Sequence, residues 1–66
     1  MNVTINGQER DVGSPSSLAA LLEGLGVEAR NVAVECDGAI VRCDQLAATP
    51  VRPGARIEII HFVGGG

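Results

Sequence analysis

Leu18, Leu21, Leu22 and Leu25 stand at i, i+3, i+4 and i+7, the spacing of one apolar stripe on an α-helix. This feature constrains the chain most. The other apolar positions follow a different period, so they must lie on strands that this one helix covers. The helix has its own punctuation. Pro15 cannot continue a strand ladder, and Ser16 or Ser17 can cap the first turn by accepting a hydrogen bond from an orphan N–H. Gly26 stands where a helix commonly ends in a left-handed residue.

Strand signals lie on both sides of the helix. "NVTING" alternates Val3 and Ile5 with polar neighbours, the period-two signature of a half-buried strand. Asn6-Gly7 then predicts a two-residue hairpin turn, because both positions need positive φ. It leads into a polar strand from about Gln8 to Val12. "NVAVEC" alternates again, with Val32, Val34 and Cys36 on one side, and Asp37-Gly38 predicts a second hairpin into "AIVR". From Asp44 to Pro53 the pattern is irregular; Leu46 and Val51 are expected to plug the core from a short helical turn. "RIEIIHF" forms the last strand, with Ile57 and Ile59 inward and Glu58, Ile60 and Phe62 on the opposite face.

The order is ββαββ with a short helical turn before the last strand. The first and last strands carry strong apolar alternation and are placed side by side and parallel at the sheet centre. The expected fold is α+β: a β-grasp roll with a mixed sheet of four to five strands packed on one helix. Residues 1–63 make the domain and residues 64–66 a flexible glycine tail.

With 66 residues, a chain buries only about 60% of its unfolded surface. That leaves no room for a deep pocket and sets the chain against being an enzyme on its own. A net charge of −3, five scattered arginines, no lysine and a single aromatic residue, Phe62, exclude the basic, base-stacking surface of a nucleic-acid binder. The longest apolar runs, "LAALL" and "IIHFV", fall far short of the roughly 20 residues of a membrane span. No secretion signal is evident, so a cytoplasmic location is expected. Cys36 and Cys43 lack the spacing and further ligands of a zinc site, with His61 the only histidine. The expected arrangement is Cys36 buried and Cys43 partly exposed, without metal or redox use.

"NG" in the first hairpin, the "LAALLEGLG" helix, "VAVECDGAIV" and above all "RIEIIHFVGGG" together resemble the sulfur carrier proteins of thiamine biosynthesis. These form the ThiS family of ubiquitin-like β-grasp proteins, and the resemblance covers essentially the whole chain. Its most specific part is Gly65-Gly66 directly after a strand. The resemblance implies that the carboxylate of Gly66 is adenylated and then converted to a thiocarboxylate, with Gly65 its required neighbour and Gly64 extending the reach. The implied partners are an E1-like adenylyltransferase using ATP and Mg²⁺, a sulfur donor such as a cysteine desulfurase, and thiazole synthase. No cofactor would be stably bound, and the free protein is expected to be a monomer.

The residue types suit that chemistry. A main-chain carboxylate is an unreactive anion at neutral pH, and activation as a mixed anhydride divides one difficult substitution into two easier ones. A tail without Cβ atoms can thread a narrow channel and expose its carbonyl to close approach. Ile60 and Phe62 form a docking patch beside the tail. His61 lies near the tail but its parity points to the core edge, and no catalytic role is assigned to it. Two alternatives stay open: a carrier for another pathway (molybdopterin synthase small subunit or cysteine biosynthesis), or a non-catalytic β-grasp interaction module or protein modifier.

Overall fold

The computed structural model describes residues 1–62. The expected glycine tail, 64–66, and the last residue of the expected 1–63 domain lie outside the described residues. Five strands follow one another as β1 (Asn2–Ile5), β2 (Gln8–Asp11), β3 (Val32–Cys36), β4 (Ala39–Val41) and β5 (Arg56–His61). Helix α1 (Leu18–Gly24) lies between β2 and β3. Two 3₁₀ turns, Ala29–Asn31 and Cys43–Ala48, precede β3 and follow β4.

The sheet order is β2-β1-β5-β3-β4. Strand β5 is thus central, parallel to β1 and antiparallel to β3, the arrangement expected from the apolar alternation of both terminal strands. The two hairpins close on Asn6-Gly7 and Asp37-Gly38, and all four residues have positive φ. Their registers, Ile5 opposite Gln8 and Cys36 opposite Ala39, are those of two-residue turns.

Helix α1 is short but bonded at both ends. Of the two serines that could cap it, Ser17 does so, its hydroxyl accepting from the Ala20 N–H at 3.1 Å. At the other end the N–H of Gly26 donates to Glu23 and that of Val27 to Leu22. This paired pattern around a left-handed Gly26, φ 74°, satisfies carbonyls that the helix leaves free. Leu25 is the C-terminal cap rather than part of the helix, and it is half-buried.

The core forms where α1 crosses the sheet. Leu18, Leu21 and Leu22 meet Val3 and Ile5 of β1, Val32 and Val34 of β3, and Ile57 and Ile59 of β5. Leu46 enters from the second 3₁₀ turn, while Val51 enters from the loop beyond that turn, not from the turn itself. Strand β2 ends at Asp11, one residue short of Val12, and is exposed on both faces because it is a sheet edge beyond the reach of the helix. No helix among the described residues is long and apolar enough to cross a membrane.

Candidate functional site at the exit of the central strand

Strand β5 delivers the chain to its last residues, so its exit end is the candidate site. Alternation buries Ile57 and Ile59 under the helix and turns Ile60 outward. Ile60 is 51% exposed and Phe62, just beyond the strand, is 64% exposed. Both lie where the sequence parity places them.

The sheet adds a third apolar residue that sequence reasoning missed. Ile40 of β4 is 74% exposed. It stands opposite Glu35, and Glu35 stands opposite Glu58 of β5. Residues directly opposite share a sheet face, so Ile40, Glu35 and Glu58 form one row on the helix-free face. Ile60 and Ala33 begin the next row. The open face thus carries Ile40 on β4 and Ile60 on β5, in neighbouring rows, with the carboxylates of Glu35 and Glu58 opposite each other in the row of Ile40. Ile40 was legible in principle: a two-residue turn at Asp37-Gly38 forces it opposite Glu35 and away from the core.

The backbone around β5 is pinned from both flanks. On the β1 side Thr4 and Asn6 donate to Ala55 and Ile57 at 2.9 Å each. There β1 ends, and the Asn6 side chain continues its work. Its Oδ1 accepts from the Ile59 N–H at 2.8 Å, and its Nδ2 donates to the Ile59 carbonyl at 3.1 Å. On the β3 side the Phe62 N–H donates to Asn31 at 2.9 Å. At the start of β5, Asp37 Oδ1 accepts from the Arg56 N–H at 2.9 Å.

His61 is exposed and lines a surface groove with Asn6, Arg10, Leu25 and Val27, so parity puts it at the core edge as expected. The cysteines are each more open than expected: Cys36 is half-buried and Cys43 exposed. Cys36 sits at the hairpin end of β3, next to the Asp37-Gly38 turn, and Cys43 opens a surface 3₁₀ turn. Partial burial, and secondarily the Asp37 charge, push the Cys36 thiol above the usual cysteine range. It therefore holds less of the reactive thiolate form at neutral pH than a free thiol does. Among the described residues no three His, Cys, Asp or Glu side chains converge as a metal site would need.

A five-stranded mixed sheet with β1 and β5 parallel at its centre and one helix across it defines a ubiquitin-like β-grasp protein. The fold matches the thiamine biosynthesis protein ThiS of Geobacter metallireducens. Against its crystal structure the TM-score is 0.83 at 36% identity, covering 100% of both chains. Against its solution structure the TM-score is 0.79, covering 100% of this chain and 88% of that one. The ThiS family model matches residues 3–66. The chain belongs to the ThiS family, whose members are small sulfur carriers.

Two curated relatives are longer proteins. The thiazole synthase of Paramagnetospirillum magneticum is 42% identical over 66 residues, and that of Magnetococcus marinus 35%. Each match takes in 100% of this chain but only 20% of the relative. The chain therefore corresponds to one fifth of a protein that bears the name of a synthase.

Proposed function

We propose that the chain carries sulfur for thiazole formation in thiamine biosynthesis, with the carboxylate of Gly66 as its working group. The observation that carries this reading is the match to the ThiS family through Gly66, on a sheet whose central strand runs towards that residue. In the first step a carboxylate oxygen of Gly66 attacks the α-phosphorus of ATP, which an E1-like adenylyltransferase holds with Mg²⁺, and pyrophosphate leaves. In the second, the terminal sulfur of a persulfide, formed when a desulfurase passes cysteine's sulfur to a partner thiol, attacks the carbonyl carbon. The new C–S bond forms as the C–O bond to AMP breaks, giving an acyl disulfide; a second partner thiol then attacks the partner-side sulfur, leaving a disulfide on the partner and releasing the thiocarboxylate. Gly65 keeps the approach to that carbonyl free of side chains, and Gly64 adds reach.

Thiazole synthase is the recipient in this reading. The support is that sequences like this one occur within longer proteins of that name. Ile60 and Phe62 dock the carrier on its partners, and Ile40 extends their patch across the open face. An apolar patch with aromatic and aliphatic side chains at its centre is what a transient interface uses. The carrier works in the cytoplasm, where the thiocarboxylate is kept reduced, and acts as co-substrate, not as catalyst.

The test is intact mass after incubation with ATP, the adenylyltransferase and a cysteine–desulfurase source. One oxygen is replaced by sulfur, on the C-terminal peptide and alkylatable there. Mapping is essential, since oxidation of Met1 or a cysteine has the same nominal mass change. Gly66→Ala lowers the conversion rate with little change in melting temperature. A chain that stays unmodified while a known carrier is converted refutes the reading, as does full conversion after deletion of Gly66.

A further inference from the structure

We propose that Asn6 is a positioning residue that sets where the chain leaves the sheet and so aims the tail at the activating enzyme; this rests on the carrier reading above. Strand β1 ends at Ile5, and its ladder to β5 ends at Ile57. The N–H and C=O of Ile59 face that same flank, since those of alternate strand residues point the same way. There is no further strand residue to take them. The Asn6 carboxamide takes both, accepting at 2.8 Å and donating at 3.1 Å. It acts as one more rung of the parallel ladder.

The position suits the task. Asn6 has φ 49°, a conformation asparagine tolerates better than most side chains. From there its amide reaches Ile59, the last buried residue of β5, three residues before Phe62. Among the described residues, Phe62 is held from the other flank, by Asn31. Without Asn6, Ile59 loses its grip on the β1 side and the exit end of β5 is fastened on one flank alone. Asp37 provides a matched control. It too opens a two-residue turn with positive φ, 51°, and its side chain grips β5, but at Arg56. That is the entry end of the strand, roughly 20 Å from the exit at 3.3 Å per residue.

The experiment compares Asn6→Gly with Asp37→Gly in the full chain. Each leaves a Gly-Gly turn able to adopt positive φ and removes one side-chain grip on β5. Asn6→Gly is expected to speed hydrogen exchange at Ile59 by roughly tenfold, the weight of about one net hydrogen bond. It also raises the KM for thiocarboxylate formation several-fold, with kcat nearly unchanged once the enzyme holds the tail. Asp37→Gly speeds exchange at Arg56 and leaves KM at the wild-type value. Asn6→Asp keeps the acceptor for the Ile59 N–H but loses the donor, and gives an intermediate KM even where the glycine variant folds poorly. Equal KM rises in Asn6→Gly and Asp37→Gly would show a general stability effect and overturn the positioning role. So would unchanged Ile59 exchange, or unchanged KM in Asn6→Gly while the wild-type chain converts normally. A wild-type chain that takes up no sulfur refutes the carrier reading instead, and this inference with it.

Discussion

Replacing Ile60 and Phe62 together by alanine tests the proposed docking face separately from folding. In the free protein these side chains are 51% and 64% exposed, so about half to two-thirds of each remains to be buried by a partner. Complete burial of an Ile or Phe side chain contributes about 1.5–3 kcal/mol. Scaled by the exposed fractions, Ile60 offers about 0.8–1.5 kcal/mol and Phe62 about 1–2 kcal/mol. Their joint loss, about 2–3 kcal/mol, raises the KM of adenylation by roughly 30- to 150-fold. Folding loses far less, since neither residue belongs to the buried cluster under the helix. The assay is initial-rate pyrophosphate release as carrier concentration varies, with circular dichroism and thermal melting run in parallel. A double variant that melts near wild type and keeps a KM within threefold refutes the assignment of this face. Ile40→Ala, tested alongside, separates a patch confined to the strand exit from one that spans the sheet.

Two further outcomes follow from local bonds. Ser17→Ala removes the cap that accepts from Ala20 and costs about 0.5–2 kcal/mol; at roughly 4–8 °C per kcal/mol for a domain this small, the melting temperature falls measurably. Unchanged melting would mean that Ser16 can take over the cap. Asp11 is held below the ordinary aspartate range, first by the hydrogen bond from the Gly13 N–H and then by the N-terminal ammonium. Its folded pKa is depressed, so its contribution is present above the unfolded aspartate pKa and is lost as pH falls through the folded value. NMR titration of the Asp11 carboxyl carbon gives a midpoint below that of an unfolded peptide, and Asp11→Asn flattens this part of the acid dependence. The effect is small, because the carboxylate is exposed.

Most of the fold was legible because it rests on local signals that agree. The leucine stripe, the Asn-Gly and Asp-Gly turns and the alternation of Ile57 and Ile59 each point to the same sheet. Boundaries were less legible. Whether Leu25 is helix or cap depends on the Gly26 and Val27 bonds to earlier carbonyls, and Val12 falls just past the end of β2 although its N–H still donates to the Met1 carbonyl at 3.0 Å. The 3₁₀ turn Ala29–Asn31 is too short to leave a period in the sequence. In the site, Ile60 and Phe62 were readable from parity within one strand. Ile40 required the register between strands, and the Asn6 grip on Ile59 joins positions 53 residues apart. A side chain that bonds a distant backbone leaves no periodic trace, and Asn6 reads simply as a turn residue.

The parallel pairing of β1 with β5 also has a mechanical side. A partner that draws the chain forward past Phe62 while the domain is held through its amino-terminal strand pulls two parallel strands in opposite directions. The bonds from Thr4 to Ala55, Asn6 to Ile57 and Asn6 to Ile59 then lie across the line of force and share the load, instead of parting one by one as in a peeled hairpin. The sheet in this way resists tension. On the proposed carrier reading, that lets a partner draw the tail forward without the sheet behind it tearing open.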